Sequence, residues 1–350
     1  MRAFSAADSV SLAIQRTRDF LFRPFNWGTY LKLGLVAIIT EGIWSNLRSS
    51  TRGAQSSGHA PTVFSPFNLT PGTVALAVAA VALALVLSMW VFYLITRLRF
   101  AFFHCLIHNT KEIRPGWHIY REPAMRFFWL NVVVGFCFLL LVGLVALPFV
   151  AGFWRLFREM QPGGHPDIGL MLSLVLPLIP IILLLLLAGV VADLTLRDWM
   201  LPHFALENAT AGEAWNWVWR RIKAEKREFT VYLVLRVVLP TVAMVAVFMV
   251  LLIPGLAVAG AFAAIEYGLH SAFADSTGGA AVAGVLVQVF FGVVAFGFLL
   301  LASICLGGPL STGIREYALM FYGGRYPALG DILYPPAPQP PPQTAAPELA

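Results

Sequence analysis

Apolar residues in this chain gather into long runs, and the polar residues gather between them in charged, aromatic-bearing segments. A helix needs roughly 20 apolar residues to cross about 30 Å of hydrocarbon. Six runs read as spans, at about 27–44, 73–96, 129–151, 169–193, 230–254 and 281–306, the first being the weakest because it contains Lys32 and Glu41. The runs fall in pairs, each led by a charged segment, so the chain divides into units at about 5–96, 97–196 and 197–307. The expected fold class is an all-α membrane protein with six transmembrane helices, built as three parallel repeats of a surface elbow helix plus a transmembrane hairpin. Residues 1–334 are expected to form a single integral membrane domain, and the tail 335–350, with seven prolines, to be disordered.

The elbow segments carry a helical period of their own. In the third unit Trp215, Val218, Trp219 and Ile222 recur at i, i+3, i+4 and i+7, which predicts one aromatic face, while Arg220, Lys223 and Arg227 supply positive charge beside it. Such a helix lies flat at the headgroups, so Trp215, Trp219, Arg220, Lys223 and Arg227 are candidate membrane-surface contacts. Val10, Ala13, Ile14, Thr17 and Leu21 repeat the spacing in the first unit after a capping pair, Ser5 and Asp8. The middle elbow, with Trp117, Tyr120 and Phe128, is interrupted by Pro123. The bland alternative is that the elbows only orient the hairpins.

Composition agrees with the pattern. With 59% hydrophobic and 12% charged residues and a mean hydropathy of +0.77, too little polar surface exists to cover a soluble globule. Charge then sets orientation. The N-terminal segment, the two even-numbered connections and the tail carry 18 Lys and Arg, against four in the alternate loops. Basic flanks stay on the cytoplasmic side, so the reading is a multi-pass protein of the bacterial cytoplasmic (inner) membrane with both termini cytoplasmic. The net charge of +6 is read as contact with anionic lipid, and nucleic acid is excluded as a partner. Arg16, Asp19 and Arg23 break up the N-terminal region before any apolar run, so no cleavable signal is expected and the first span would serve as a signal anchor.

Units two and three share a local motif. His104-Cys-Leu-Ile-His-Asn109 parallels His203-Phe-Ala-Leu-Glu-Asn208, with Trp117 and Trp215 following. Leu201 to Asn208, then Ala214-Trp-Asn-Trp-Val-Trp219 and the basic run after it, resemble part of the membrane domain found in some bacterial glycerophosphoryl diester phosphodiesterases. The segment Arg315 to Arg325 resembles the end of that domain. The resemblance implies a membrane domain without the catalytic barrel, and it carries over no catalytic residue.

Chemistry is sparse. No phosphate loop, nucleophile elbow or HExxH zinc motif occurs. His104 and His108 share a helix face, but two histidines do not close a metal shell, and no metal or cofactor is expected. Cys105, Cys137 and Cys305 are expected to pack without forming a site. Ionisable groups within spans are candidates for function because burying them is costly. Asp193 near the end of span four and Arg236, about 9 Å into span five, form a candidate intramembrane ion pair. The rival is a local Asp193–Arg197 pair with Arg236 snorkelling to the interface. Lys32 and Glu41, nine residues apart, fall on opposite helix faces. Ala80, Ala84 and Ser88 form a small-residue row suited to close helix approach, and Pro177, Pro180 and Pro240 are expected to bend their helices.

Two function classes follow. The first is a non-catalytic membrane protein, a scaffold, assembly partner or lipid-organising element. The second is a transporter or permease for a small or lipid-like solute. No span carries a dense polar stripe to line an aqueous path, which favours the first, and no paired nucleophile and base supports an enzyme.

Overall fold

The computed structural model describes residues 4–42, 71–159, 168–273 and 279–335. Among the described residues every regular element is helical. Helix α1 (Asp8–Phe22) leads into α2 (Trp27–Ala37), which continues as a π-helical turn, Ile38–Gly42. Then follow α3 (Pro71–Ile107), α4 (Ile113–Ile119), α5 (Arg121–Glu159) and α6 (Ile168–Leu194). A second π turn, Thr195–Met200, joins α6 to α7 (Leu201–Leu206), and α8 (Ala211–Ala224), α9 (Lys226–Phe273), α10 (Gly279–Gly323) and α11 (Pro327–Leu333) complete the order.

Among the described residues six segments are long and apolar enough to cross a membrane: Gly72–Ile107, Arg121–Trp154, Met171–Leu206, Lys226–Val250, Leu252–Leu269 and Val282–Gly323. The fourth and fifth are consecutive stretches of α9, which runs unbroken for 48 residues. The expected first span, 27–44, is not among them, and its last two residues lie outside the described residues. Its described part is α2 with its π turn, which packs along α10. Gly34 and Gly308 make that crossing tight, because a Cβ built on Gly308 would stand 2.7 Å from the Gly34 Cα. The Tyr30 hydroxyl donates to the Cys305 carbonyl at 2.6 Å across the same contact.

The helices have two contrasting halves. Their shafts are bare: residues 72–91 of α3 are all exposed, and Leu139, Leu183, Val250 and Phe296 on other helices are more than half exposed. A soluble protein does not present apolar surface on this scale, whereas hydrocarbon covers it at no cost. The opposite ends pack into one core around Phe20, Phe100, Phe103, Phe127, Trp199, Phe204, Tyr232 and Phe321. The row Ala80, Ala84 and Ser88 lies on the bare shaft of α3 instead of a helix contact. Close approach occurs elsewhere, at the Gly34–Gly308 crossing and where α4 docks on α3. There a Cβ on Gly116 would meet the Ala101 Cα at 2.9 Å, and Arg97 donates to the Trp117 carbonyl at 3.0 Å while lying 4.4 Å above its ring.

Both ends of the described chain meet at the packed end. Arg325 donates to the Phe4 carbonyl at 3.1 Å and pairs with Glu225 at 2.7 Å. Ser5 Oγ accepts from the Asp8 N–H at 3.1 Å and donates to its carboxylate at 2.7 Å, tying down the start of α1. Pro123 sits in the first turn of α5, where its missing N–H has no helical partner to lose. Asn109 and Asn208 share a left-handed backbone, φ 52° at each, and both stop an apolar helix ahead of a short surface helix. The matching His–Asn motifs therefore have matching local backbones.

Candidate functional site: a buried ionic cluster

Where the bare shafts give way to the packed end, charged side chains from five helices converge. The π turn after α2 supplies Glu41, and the π turn after α6 supplies Arg197 and Asp198. Arg99 comes from α3, Arg236 from α9 and Arg315 from α10. A π turn adds a residue to the helical ring and redirects the side chains around it. Both such turns in the described residues fall at this cluster.

Asp198 is fully buried and accepts four hydrogen bonds: from the Tyr232 hydroxyl at 2.8 Å, Arg236 Nε at 2.9 Å, Arg236 Nη2 at 3.3 Å and Arg315 Nη1 at 3.1 Å. Glu41 is shared by Arg236 at 3.2 Å, Arg197 at 3.3 Å and Arg315 at 3.9 Å. Arg315 also donates to the Arg197 carbonyl at 2.9 Å. Two carboxylates thus interleave with three guanidinium groups, the fork geometry that makes arginine the preferred cation for buried pairing.

The sequence-derived pair Asp193–Arg236 is not formed. Arg236 turns to Asp198 and Glu41, and Asp193 stands 3.9 Å from Arg197 with its side chain 39% exposed. The local Asp193–Arg197 contact of the rival reading is present, but Arg236 does not snorkel, being 5% exposed. Helical spacing from Asp193 had no means of finding Asp198, whose direction depends on a π turn. A signal did exist: Asp193, Arg197 and Asp198 close one apolar run, and Arg315 lies in the same position after another. Lys32 is exposed and Glu41 buried, so the two occupy different environments.

The candidate surface contacts form a second, outward feature. Helix α8 is opened by a capping box in which the Thr210 hydroxyl accepts from the Glu213 N–H and the Glu213 carboxylate accepts from the Thr210 N–H. The Thr210 N–H and hydroxyl hold the Glu213 carboxyl below its ordinary pKa. Ala214 and Val218 are buried against the core, so the expected single aromatic face is divided: Val218 points inward and Trp215 and Trp219 outward. These two indoles stack at 5.8 Å with planes 12° apart, and Lys223 Nζ stands 5.1 Å from the Trp219 ring. Arg220 is exposed on α8, and Arg227 is exposed at the start of α9.

Two grooves lie away from the cluster. One of about 680 Å³ between α5 and α6 is lined by apolar side chains such as Val145, Phe149, Phe153 and Leu178. The other, between α2 and α10, includes Lys32. Among the described residues no three His, Cys, Asp or Glu side chains are grouped to hold a metal.

A family of unknown function, DUF7544, matches residues 4–332. The chain belongs to that family. The match takes in every charged residue of the cluster and the whole of α8. No curated protein and no solved structure matches the chain. Nothing in these comparisons links the DUF7544 chain to the glycerophosphoryl diester phosphodiesterases.

Proposed function

We propose that this is a non-catalytic protein of the bacterial cytoplasmic membrane, which sets its packed end at the cytoplasmic face and organises anionic lipid or seats an assembly partner there. The observation that carries the reading is the outward ladder of Trp215, Trp219 and Lys223 on a helix whose other face is buried. Aromatic rings with a cation beside them suit the headgroup layer, and bare apolar shafts next to the ladder suit hydrocarbon. The 18 to 4 distribution of basic residues argues for the cytoplasmic side. The matched backbones at Asn109 and Asn208 support descent of units two and three from one ancestor, with α4 and α8 as their elbows. The sequence resemblance to a phosphodiesterase membrane domain is compatible with this reading and adds no chemistry to it.

Transport is the second reading, and the cluster itself favours it, because buried ionisable groups in membrane helices mark substrate paths in many carriers. Against it, Glu41 and Asp198 are engaged by arginine, and the neighbouring buried Glu316 stands 3.3 Å from Arg16, so each of these carboxylates already faces a cation. Reconstitution into sealed vesicles separates the two. The organising role predicts unchanged permeability to small solutes and slower diffusion of labelled anionic lipid. Saturable solute flux abolished by Glu41→Gln would establish the carrier instead.

A further inference from the structure

The charges of the cluster do not balance. Arg99, Arg197, Arg236 and Arg315 bring four positive charges, while Glu41, Asp198 and the half-open Asp193 bring three negative ones, and the adjoining Arg16–Glu316 pair at 3.3 Å adds one of each. A buried charge without a counterion is costly, and an arginine, unlike a lysine, cannot lose its proton to escape the cost. The imbalance is also local. Arg197, Arg236 and Arg315 each lie within 4 Å of both Glu41 and Asp198. Among the described residues Arg99, 5% exposed, donates only Nε, to the Thr40 carbonyl at 3.2 Å, and has no carboxylate within 4 Å. Arg197, 7% exposed, faces those carboxylates, yet its buried Nε–H, 3.9 Å from Asp198, has no hydrogen-bond acceptor among the described residues. Arg99 reaches the same π turn through Thr40, next to Glu41, while Arg197 pairs with Glu41 at 3.3 Å and with the 39% exposed Asp193 at 3.9 Å, so Asp193 marks the more open flank of the cluster.

Depth narrows the chemistry. The exposed shaft of α3 runs from Gly72 to Val91, 20 residues, or about 30 Å, the thickness of the hydrocarbon layer. Arg99 follows about 12 Å further along the same helix, at headgroup depth. A phosphodiester there carries one negative charge and two free oxygens, which closes the balance and matches two forked donors.

We infer that Arg99 and Arg197 form a phosphoryl-oxyanion site on the Asp193 flank, filled by the phosphate of a membrane lipid or by free phosphate. The site rests on the membrane-face reading above and names its ligand chemistry. Native mass spectrometry of the full-length protein tests it, with phosphatidylglycerol, phosphatidylcholine and inorganic phosphate as separate probes and Trp215→Ala/Trp219→Ala as a surface control. One adduct retained after all others are stripped is expected. Retention of either lipid assigns the lipid source, and phosphate retained with no lipid assigns the free ion; both support the site. Arg99→Gln is expected to weaken retention about tenfold, and Arg99→Lys, which keeps the charge and loses the fork, to weaken it less. Should Arg99→Gln not fold, Arg99→Lys and Arg197→Lys carry the comparison, each read against wild type at matched thermal midpoint. Absence of any retained adduct from wild type, or equal retention by the arginine variants, overturns the site. Loss in the tryptophan variant alone would overturn it too, while sustaining the surface reading.

Discussion

Replacing Asp198 by asparagine removes one charge and almost no volume, so it isolates the electrostatics of the cluster. In the native protein this carboxylate is fully buried and takes hydrogen bonds from Tyr232, Arg236 and Arg315 at 2.8–3.3 Å. Asparagine keeps one acceptor oxygen, turns the other into a donor facing guanidinium, and leaves Arg236 and Arg315 with Glu41 as their shared counterion. Breaking a buried ion pair from one side costs about 3–5 kcal/mol. In a chain of this size that lowers the thermal midpoint on the order of 10 °C. Asp193→Asn is the matched control. Its partner Arg197 is 3.9 Å away and its side chain is 39% exposed, so the loss is about 1 kcal/mol or less. The assay is the midpoint of detergent-solubilised protein followed by size-exclusion fluorescence, with Asp198→Asn/Arg315→Gln completing a double-mutant cycle. A coupling of at least about 1 kcal/mol is expected. Equal midpoints for Asp198→Asn and Asp193→Asn, or strict additivity in the cycle, would refute the claim that Asp198 holds the five-helix junction together.

Three further outcomes follow from other parts of the structure. Gly308→Ala puts a methyl group 2.7 Å from the Gly34 Cα, so it forces α2 off α10 and costs about 1–3 kcal/mol, whereas Gly292→Ala, with nothing within 4 Å, is neutral in the same assay. Trp215→Ala/Trp219→Ala leaves the midpoint within about 1 kcal/mol, because both rings are more than 40% exposed. A peptide of residues 210–229 binds anionic vesicles in preference to neutral ones and is released by salt, and equal binding to both would remove the electrostatic part of the surface reading.

Some of this was legible in the chain and some was not, for physical reasons. Long apolar runs declare themselves because lipid demands about 20 consecutive apolar residues, and five of the six expected runs lie on the segments long and apolar enough to cross. Residues 27–44 behaved differently, as α2 and its π turn pair with α10 through Gly34 and Gly308, a contact that hydropathy cannot register. The motif ending at Asn109 and Asn208 was readable because a left-handed stop has a residue preference. The cluster was half readable. Ionisable residues at the ends of apolar runs were visible, but which of Asp193 and Asp198 meets Arg236 is decided by a π turn, which has no sequence signature. Likewise Val218 and Trp219, roughly 100° apart around the helix, part company because α8 packs against the core by the Ala214–Val218 side.

The central claim is that the packed, arginine-rich end of this molecule faces the cytoplasm and the far ends of its long helices face away. Single cysteines in a cysteine-free background test it directly, one at Ala224 at the end of α8 and one at Ser271 near the far end of α9, both exposed. In intact cells a membrane-impermeant thiol reagent is expected to label the Ser271 position and to reach the Ala224 position only after lysis. Labelling of Ala224 in intact cells with Ser271 protected would contradict the orientation, and labelling of both would contradict the membrane-spanning course of α9 itself.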